Sequence, residues 1–168
     1  MLQVSLDTSF LISFAASGRP NHLVAVEYFR HCLAQRIPMI ISVVAAGEFE
    51  VGQPVVDLPL QNFRVQPYNL PHALRAAAMF RALRQSPGQA AQEARPVVIN
   101  HLKTLAQAEE DQIPVILTED ANTLCRLSER LRQCQAASVR VLLLKEGFTP
   151  GRLENPAQEE LRLPPPSS

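Results

Sequence analysis

Three carboxylates stand where chemistry is conceivable: Asp7, Glu48 and Asp120. Asp7 ends the apolar run Leu2-Gln3-Val4-Ser5-Leu6 and opens Thr8-Ser9-Phe10-Leu11-Ile12. Asp120 closes a second apolar run, Pro114-Val115-Ile116-Leu117, through Thr118-Glu119. Glu48 sits among Val43, Val44, Ala45, Ala46, Gly47 and Phe49. An acid at a strand end or inside an apolar helix is poorly solvated. A helix N-terminus, a hydrogen-bond network or a cation must compensate it. Carboxylates brought together repel, and a hard divalent cation relieves the repulsion. Mg²⁺ held by carboxylates and water is a common arrangement for phosphodiester hydrolysis.

Each residue also has a plainer reading. Asp7 and Asp120 read equally well, taken singly, as helix N-caps. Glu48 alone reads as a solvated face residue, which its apolar neighbours argue against. Thr8 and Ser9 read more readily as helix-start hydroxyls than as ligands.

The elements that position these residues follow from periodicity and punctuation. Leu2–Leu6 reads as a buried strand, and Thr8–Ala16 as an apolar helix stopped by Ser17-Gly18-Arg19-Pro20. Asn21–Arg36 has helical spacing, with Leu23, Val26, Phe29 and Leu33 on one side. Pro38–Ile41 is β-rich, and Ser42 is placed to cap a helix over Val43–Val51. Asn62–Pro67 reads as a short strand. Pro71–Arg84 reads as a helix with Leu74, Ala77, Ala78 and Phe80–Ala82 available for the core. Gln85–Arg95 reads as a loop, Val97–Asp111 as a helix, Pro114–Leu117 as a strand, Ala121–Gln135 as a helix and Val139–Leu144 as a strand. From Phe148 the density of Pro, Glu and polar residues reads as a tail. Residues 1–147 form one domain in this reading, and 148–168 a Pro-rich C-terminal tail. Strands alternating with helices imply an α/β sandwich around a mostly parallel sheet. Right-handed crossovers then bring the strand ends, and their acids, to one edge.

Composition bounds the partners. Sixteen basic and sixteen acidic residues in a chain of 168 give no net charge, so any phosphate contact must come from a local rim. Arg30, Arg36, Arg75, Arg81, Arg84 and Arg95 read as solvated faces, with a subset able to reach phosphates. Aromatics make up 5% and Trp is absent, which argues against a stacking platform for single strands. Cys32, Cys125 and Cys134 are odd in number and not closely spaced. They read as reduced thiols of a cytoplasmic protein. No run is long enough to span a bilayer, and no basic segment precedes the first apolar stretch, so neither a membrane nor a signal peptide is expected. No G-x-G-x-x-G follows the first strand, which ranks a Rossmann-like nucleotide binder low.

Three stretches in order resemble the PIN domain, a family of small metal-dependent nucleases: Val4-Ser5-Leu6-Asp7-Thr8-Ser9-Phe10-Leu11-Ile12, Ile41-Ser42-Val43-Val44-Ala45-Ala46-Gly47-Glu48-Phe49 and Pro114-Val115-Ile116-Leu117-Thr118-Glu119-Asp120. The resemblance spans roughly Leu2 to Leu144. It implies a PIN-like three-layer α/β/α fold with Asp7, Glu48 and Asp120 as catalytic and metal-holding residues for Mg²⁺ or Mn²⁺. Thr8, Ser9 and Thr118 then fall where substrate would bind. It implies RNA as substrate, a homodimer, and a toxin role in a VapBC-type pair whose antitoxin wraps the N-terminal helices. One position departs from the family pattern. The usual second Asp, in an Asn-Asp pair, is matched by Asn100-His101. A neutral imidazole can ligate a metal but suits transition ions better than Mg²⁺. Asn100 and Asn122 are placed to supply neutral oxygens. His101 therefore also raises an alternative of a different class: a PIN fold with a degenerate site, serving as an RNA-binding or protein-interaction module.

Overall fold

The computed structural model describes residues 2–85 and 95–154. Among the described residues five strands form one parallel sheet: β1 (Val4–Leu6), β2 (Met39–Ser42), β3 (Arg64–Gln66), β4 (Val115–Thr118) and β5 (Arg140–Leu143), in the order β3-β2-β1-β4-β5. Leu6 is in register with Ile41 on one side and Leu117 on the other. The acids that follow Leu6 and Thr118 therefore leave the sheet at the same edge.

Alternation along the strands sorts the core into two layers. Val4, Leu6, Met39, Ile41, Val115 and Leu117 face one side, where they meet α1 (Thr8–Ala15), α2 (His22–Ala34) and α3 (Val43–Gly52). Ile40 and Ile116 face the other, against α4 (Leu70–Gln85), α5 (Arg95–Glu110) and α6 (Leu124–Gln133). The expected three-layer α/β/α sandwich is the observed architecture. No helix among the described residues is long and apolar enough to cross a membrane.

The helices that feed strands end alike. Arg36, Gln112 and Gln135 adopt φ of 55°, 56° and 57°. The next residue closes the turn at 2.8 Å each time: Ile37 N–H to Cys32 O, Ile113 N–H to Ala108 O and Ala136 N–H to Leu131 O. This is the Schellman closure, achieved here without glycine.

Several expectations are corrected. The buried face of α2 is Ala25, Tyr28 and Cys32, while Leu23 is 74% exposed and Leu33 also faces outward. The apolar spacing was real, but the sheet meets the helix one residue round from the widest Leu stripe. On α4, His72, Met79 and Leu83 are buried, and Leu74, Ala77 and Ala78 face outward. The helix after Asp120 starts at Leu124, because Asp120 first organises a turn. The loop expected over Gln85–Arg95 falls mainly on residues 86–94, outside the described residues; α5 already begins at Arg95.

The tail expected from Phe148 is corrected in its first part. Phe148 packs edge-on against Tyr28, with ring centroids 4.9 Å apart, and Leu153 is 1% exposed in the core. Arg140 donates to the carbonyls of Arg152, Leu153 and Glu154 at 3.3, 3.3 and 3.0 Å. Arg152 donates to Gly147 O at 2.9 Å and pairs with Glu146. Composition concealed this, since two apolar anchors suffice where arginines satisfy the intervening carbonyls. The rest of the expected tail, residues 155–168, lies outside the described residues.

Candidate functional site

The edge formed by the carboxyl ends of β1 and β4 carries the site. Asp7 N–H completes the ladder to Leu117 O at 3.1 Å, so the residue is held by the sheet itself. Its side chain is turned into the gap between the strands and is 6% exposed. One oxygen, Oδ2, receives Ser9 Oγ at 2.8 Å, Thr118 Oγ1 at 2.8 Å and, weakly, Ser9 N–H at 3.4 Å. The plain reading is thus realised, since Asp7 caps α1. The cap does not exhaust it. Among the described residues, its partners are all neutral.

Ser9 and Thr118 do more than donate to Asp7. Their hydroxyl oxygens lie 2.9 Å apart. Two hydroxyl protons therefore serve three short O···O contacts. Both oxygens also accept from the backbone: Ser9 Oγ from Glu119 N–H at 2.9 Å, and Thr118 Oγ1 from Asp120 N–H at 3.0 Å. Thr118 is fully buried, at 0% exposure. It is a positioning residue for Asp7 and Asp120, which corrects its expected place as a substrate contact.

Glu48 reaches the same region from α3. Ser42 caps that helix by accepting Val44 N–H at 3.1 Å, as its sequence position predicts. Glu48 is exposed, against the expectation from its apolar neighbours. Val43, Gly47 and Val51 are exposed as well, so the helix presents an apolar outer face and is not enclosed. Thr8 Oγ1 donates to Glu48 Oε2 at 2.6 Å, fixing the carboxylate over the start of α1.

Asp120 is the most heavily bonded of the three. Oδ1 accepts from the N–H groups of Asn122 and Thr123 at 3.0 and 2.8 Å, and Oδ2 from Leu124 N–H at 3.3 Å. His101 Nε2 lies 3.2 Å from Oδ2. The imidazole therefore stands beside Asp120 at the sheet edge. Asn100 is exposed and accepts from Lys103 Nζ at 3.4 Å. Asn122 is exposed and contributes its backbone N–H to Asp120.

Glu119 is the residue that sequence reasoning passed over. Its carboxylate holds Asn21 Nδ2 at 2.9 Å and Arg19 Nη2 at 3.0 Å, tying the α1–α2 connection to the edge. Burial raises its pKa, but the nearby Ser13 hydroxyl, the hydrogen bonds from Asn21 and Arg19 and the Arg19 charge outweigh burial and hold it below the usual glutamate range. The only signal in the sequence was its place between Thr118 and Asp120.

By donor chemistry, the oxygens of Asp7, Glu48 and Asp120 suit a hard divalent cation. A buried carboxylate whose partners among the described residues are all neutral, as at Asp7, is where such a cation would be stabilised. Among the described residues, however, no three Asp, Glu, His or Cys side chains are gathered into a group able to hold a metal ion. Asp7 and Asp120 share a hydrogen-bond network through Thr118, and Glu48 stands beside it on Thr8, without the three forming a closed metal centre.

No family model and no curated protein matches the chain. Solved structures do. The DNA-bound VapBC complex from Salmonella typhimurium aligns over 86% of this chain and 99% of that one, with a TM-score of 0.55 and 16% identity. FitAcB from Neisseria gonorrhoeae aligns over 85% and 99%, with a TM-score of 0.60 and 16% identity. VapBC2 from Rickettsia felis, bound to a DNA fragment from its promoter, aligns over 83% and 98%, with a TM-score of 0.54 and 12% identity. At these identities the likeness is one of fold, and the fold of this chain is PIN-like.

Proposed function

We propose that the chain is a PIN-like, Mg²⁺- or Mn²⁺-dependent endoribonuclease, acting in the cytoplasm as the toxin of a toxin–antitoxin pair. The observation that carries this reading is Asp7: a carboxylate 6% exposed, at the carboxyl end of a central parallel strand, with only neutral partners among the described residues. Asp7, Glu48 and Asp120 are the residues that would hold the cation. A bound divalent ion there supplies water activation and neutralises charge developing on the phosphodiester. The chain's own part is positional. Ser9 and Thr118 fix Asp7, Thr8 fixes Glu48, and the turn at residues 120–124 fixes Asp120. Hydrolysis in this arrangement leaves a 5′-phosphate on the downstream product. The antitoxin partner and a homodimer are proposed from the resemblance. The VapBC complexes that share the fold support the first.

A second reading has its own observation. Asp120 faces His101 at 3.2 Å and caps a turn with both oxygens, and among the described residues no three-residue metal group is gathered. An imidazole in place of an acid leaves the edge with less negative charge for a hard cation. A PIN fold that binds RNA or protein without cutting would follow.

Incubation of the protein with a mixed RNA pool in Mg²⁺, in Mn²⁺ and in chelator separates the two. Cation-dependent cleavage yielding 5′-phosphorylated fragments is expected from the nuclease. Intact RNA with both cations would overturn that reading in favour of the second.

A further inference from the structure

The α1–α2 connection brings a guanidinium to the site edge. The turn Ser17-Gly18-Arg19-Pro20 is pinned where Arg19 and Asn21 take one oxygen each of Glu119. Glu119 in turn donates its backbone N–H to Ser9 Oγ, the same oxygen that donates to Asp7. Arg19 thus lies two residue contacts from Asp7's hydroxyl partner. Its side chain is 46% exposed, whereas that of Glu119 is 16% exposed. The acid is the half-buried anchor and the guanidinium faces solvent.

A neutral chain that acts on a polyanion needs local positive charge. The topology removes Arg36 and Arg132 from consideration. Both stand at helix ends that lead into β2 and β5, on the opposite edge of the parallel sheet. Arg19 stands on the correct edge and is preorganised. A guanidinium held through Nη2 keeps further N–H donors on its outward side for phosphate oxygens.

We infer that Arg19 is a phosphate-binding residue for single-stranded RNA, held in place and partly neutralised by Glu119. The inference rests on RNA being the ligand of the proposed site, but not on cleavage. In the free protein the Glu119 carboxylate offsets the Arg19 charge. Removing that carboxylate should therefore strengthen RNA binding, and removing the guanidinium should weaken it. A purely structural clasp predicts the opposite for Glu119, since loosening the turn could only weaken a site.

The test is fluorescence anisotropy of a labelled single-stranded oligoribonucleotide in chelator, using the full chain across a salt series. Arg19→Ala is expected to weaken binding about five-fold at low salt and to lower the log–log salt slope by roughly 0.7, one phosphate contact on a single strand. Glu119→Gln is expected to tighten binding a few-fold. The double variant should bind like Arg19→Ala, because nothing remains for Glu119 to mask. Arg132→Ala serves as the distant-charge control and should match the wild type. Circular dichroism and melting of each variant separate a folding loss from a contact loss. Wild-type binding that Arg19→Ala leaves unchanged, or a Glu119→Gln variant that binds more weakly while folded, overturns this inference alone. A wild type that binds no RNA overturns the RNA reading together with it.

Discussion

Thr118 Oγ1 donates to Asp7 Oδ2 at 2.8 Å, joining residues 111 positions apart across β1 and β4. The same oxygen accepts Asp120 N–H at 3.0 Å. One buried hydroxyl therefore couples the first acid of the edge to the last. Thr118→Val keeps the shape, removes the donor to Asp7 and leaves Asp120 N–H without its acceptor. An expected loss of about 1–3 kcal/mol follows, the usual range for stranding buried polar groups. Thr118→Ser should retain most of the stability. Urea unfolding of the two variants checks the difference.

Glu119 makes the edge sensitive to acid. Its pKa is depressed in the folded state, so the stability it contributes is fully present above the ordinary glutamate range, near pH 4.5, and is lost as pH falls through the depressed value. Glu119→Gln removes that dependence. Its unfolding free energy should fall less steeply than the wild type's between neutral pH and pH 3, as denaturation at several pH values will show.

Leu153 anchors the segment after β5 within the first core layer. Leu153→Ala should lower stability by about 2–4 kcal/mol, the range for truncating a buried leucine. A chain ending at residue 147 should lose at least as much. A melting temperature unchanged by either alteration would show that this segment is not part of the folded unit.

Cys32 is 1% exposed, and burial pushes its thiol up to about 11. A thiol so held is neither accessible nor ionised at neutral pH. Alkylation of the native protein followed by mass spectrometry should leave Cys32 unmodified, with labelling appearing only on addition of denaturant.

The order of elements and the acids at the strand ends were legible in the sequence because both are local. Apolar runs, Pro and Gly stops and the capping position of Ser42 are read from neighbours in the chain. What one sequence could not show depends on contacts between distant segments. The face of α2 that meets the sheet is set by neighbours outside that helix, so Leu23 was misplaced. The packing of Phe148 and Leu153 depends on Tyr28 and Arg140, far from the Pro-rich composition around them. The apolar neighbours of Glu48 suggest an enclosed helix, but they divide between a buried face, with Ala45 and Phe49, and an exposed one, with Val43 and Gly47, and Glu48 falls on the exposed face. At the site, Thr118 looked like a hydroxyl available to substrate; only the pairing of β1 with β4 shows it commits its proton to Asp7. His101 lies one helix away from Asp120 in the chain, and only the fold shows its imidazole 3.2 Å from that carboxylate.

His101→Asp sets a carboxylate opposite Asp120 and raises the negative charge of the edge. Without added cation the variant should be less stable than the wild type through like-charge repulsion. With millimolar Mn²⁺ its melting temperature should rise more than that of the wild type, since a ligand that binds only the folded state stabilises it. Equal shifts in the two proteins would show that this position does not govern cation binding.

The central claim concerns Asp7, and cleavage of a mixed RNA pool by wild type and Asp7→Asn tests it most directly. Asparagine keeps the size and an acceptor oxygen for Ser9 and Thr118, so the fold should persist, as circular dichroism can verify. The expected result is cation-dependent cleavage by the wild type and a loss of at least a hundred-fold, about 2.7 kcal/mol in the barrier, in the variant. Equal cleavage by the two folded proteins would contradict the account.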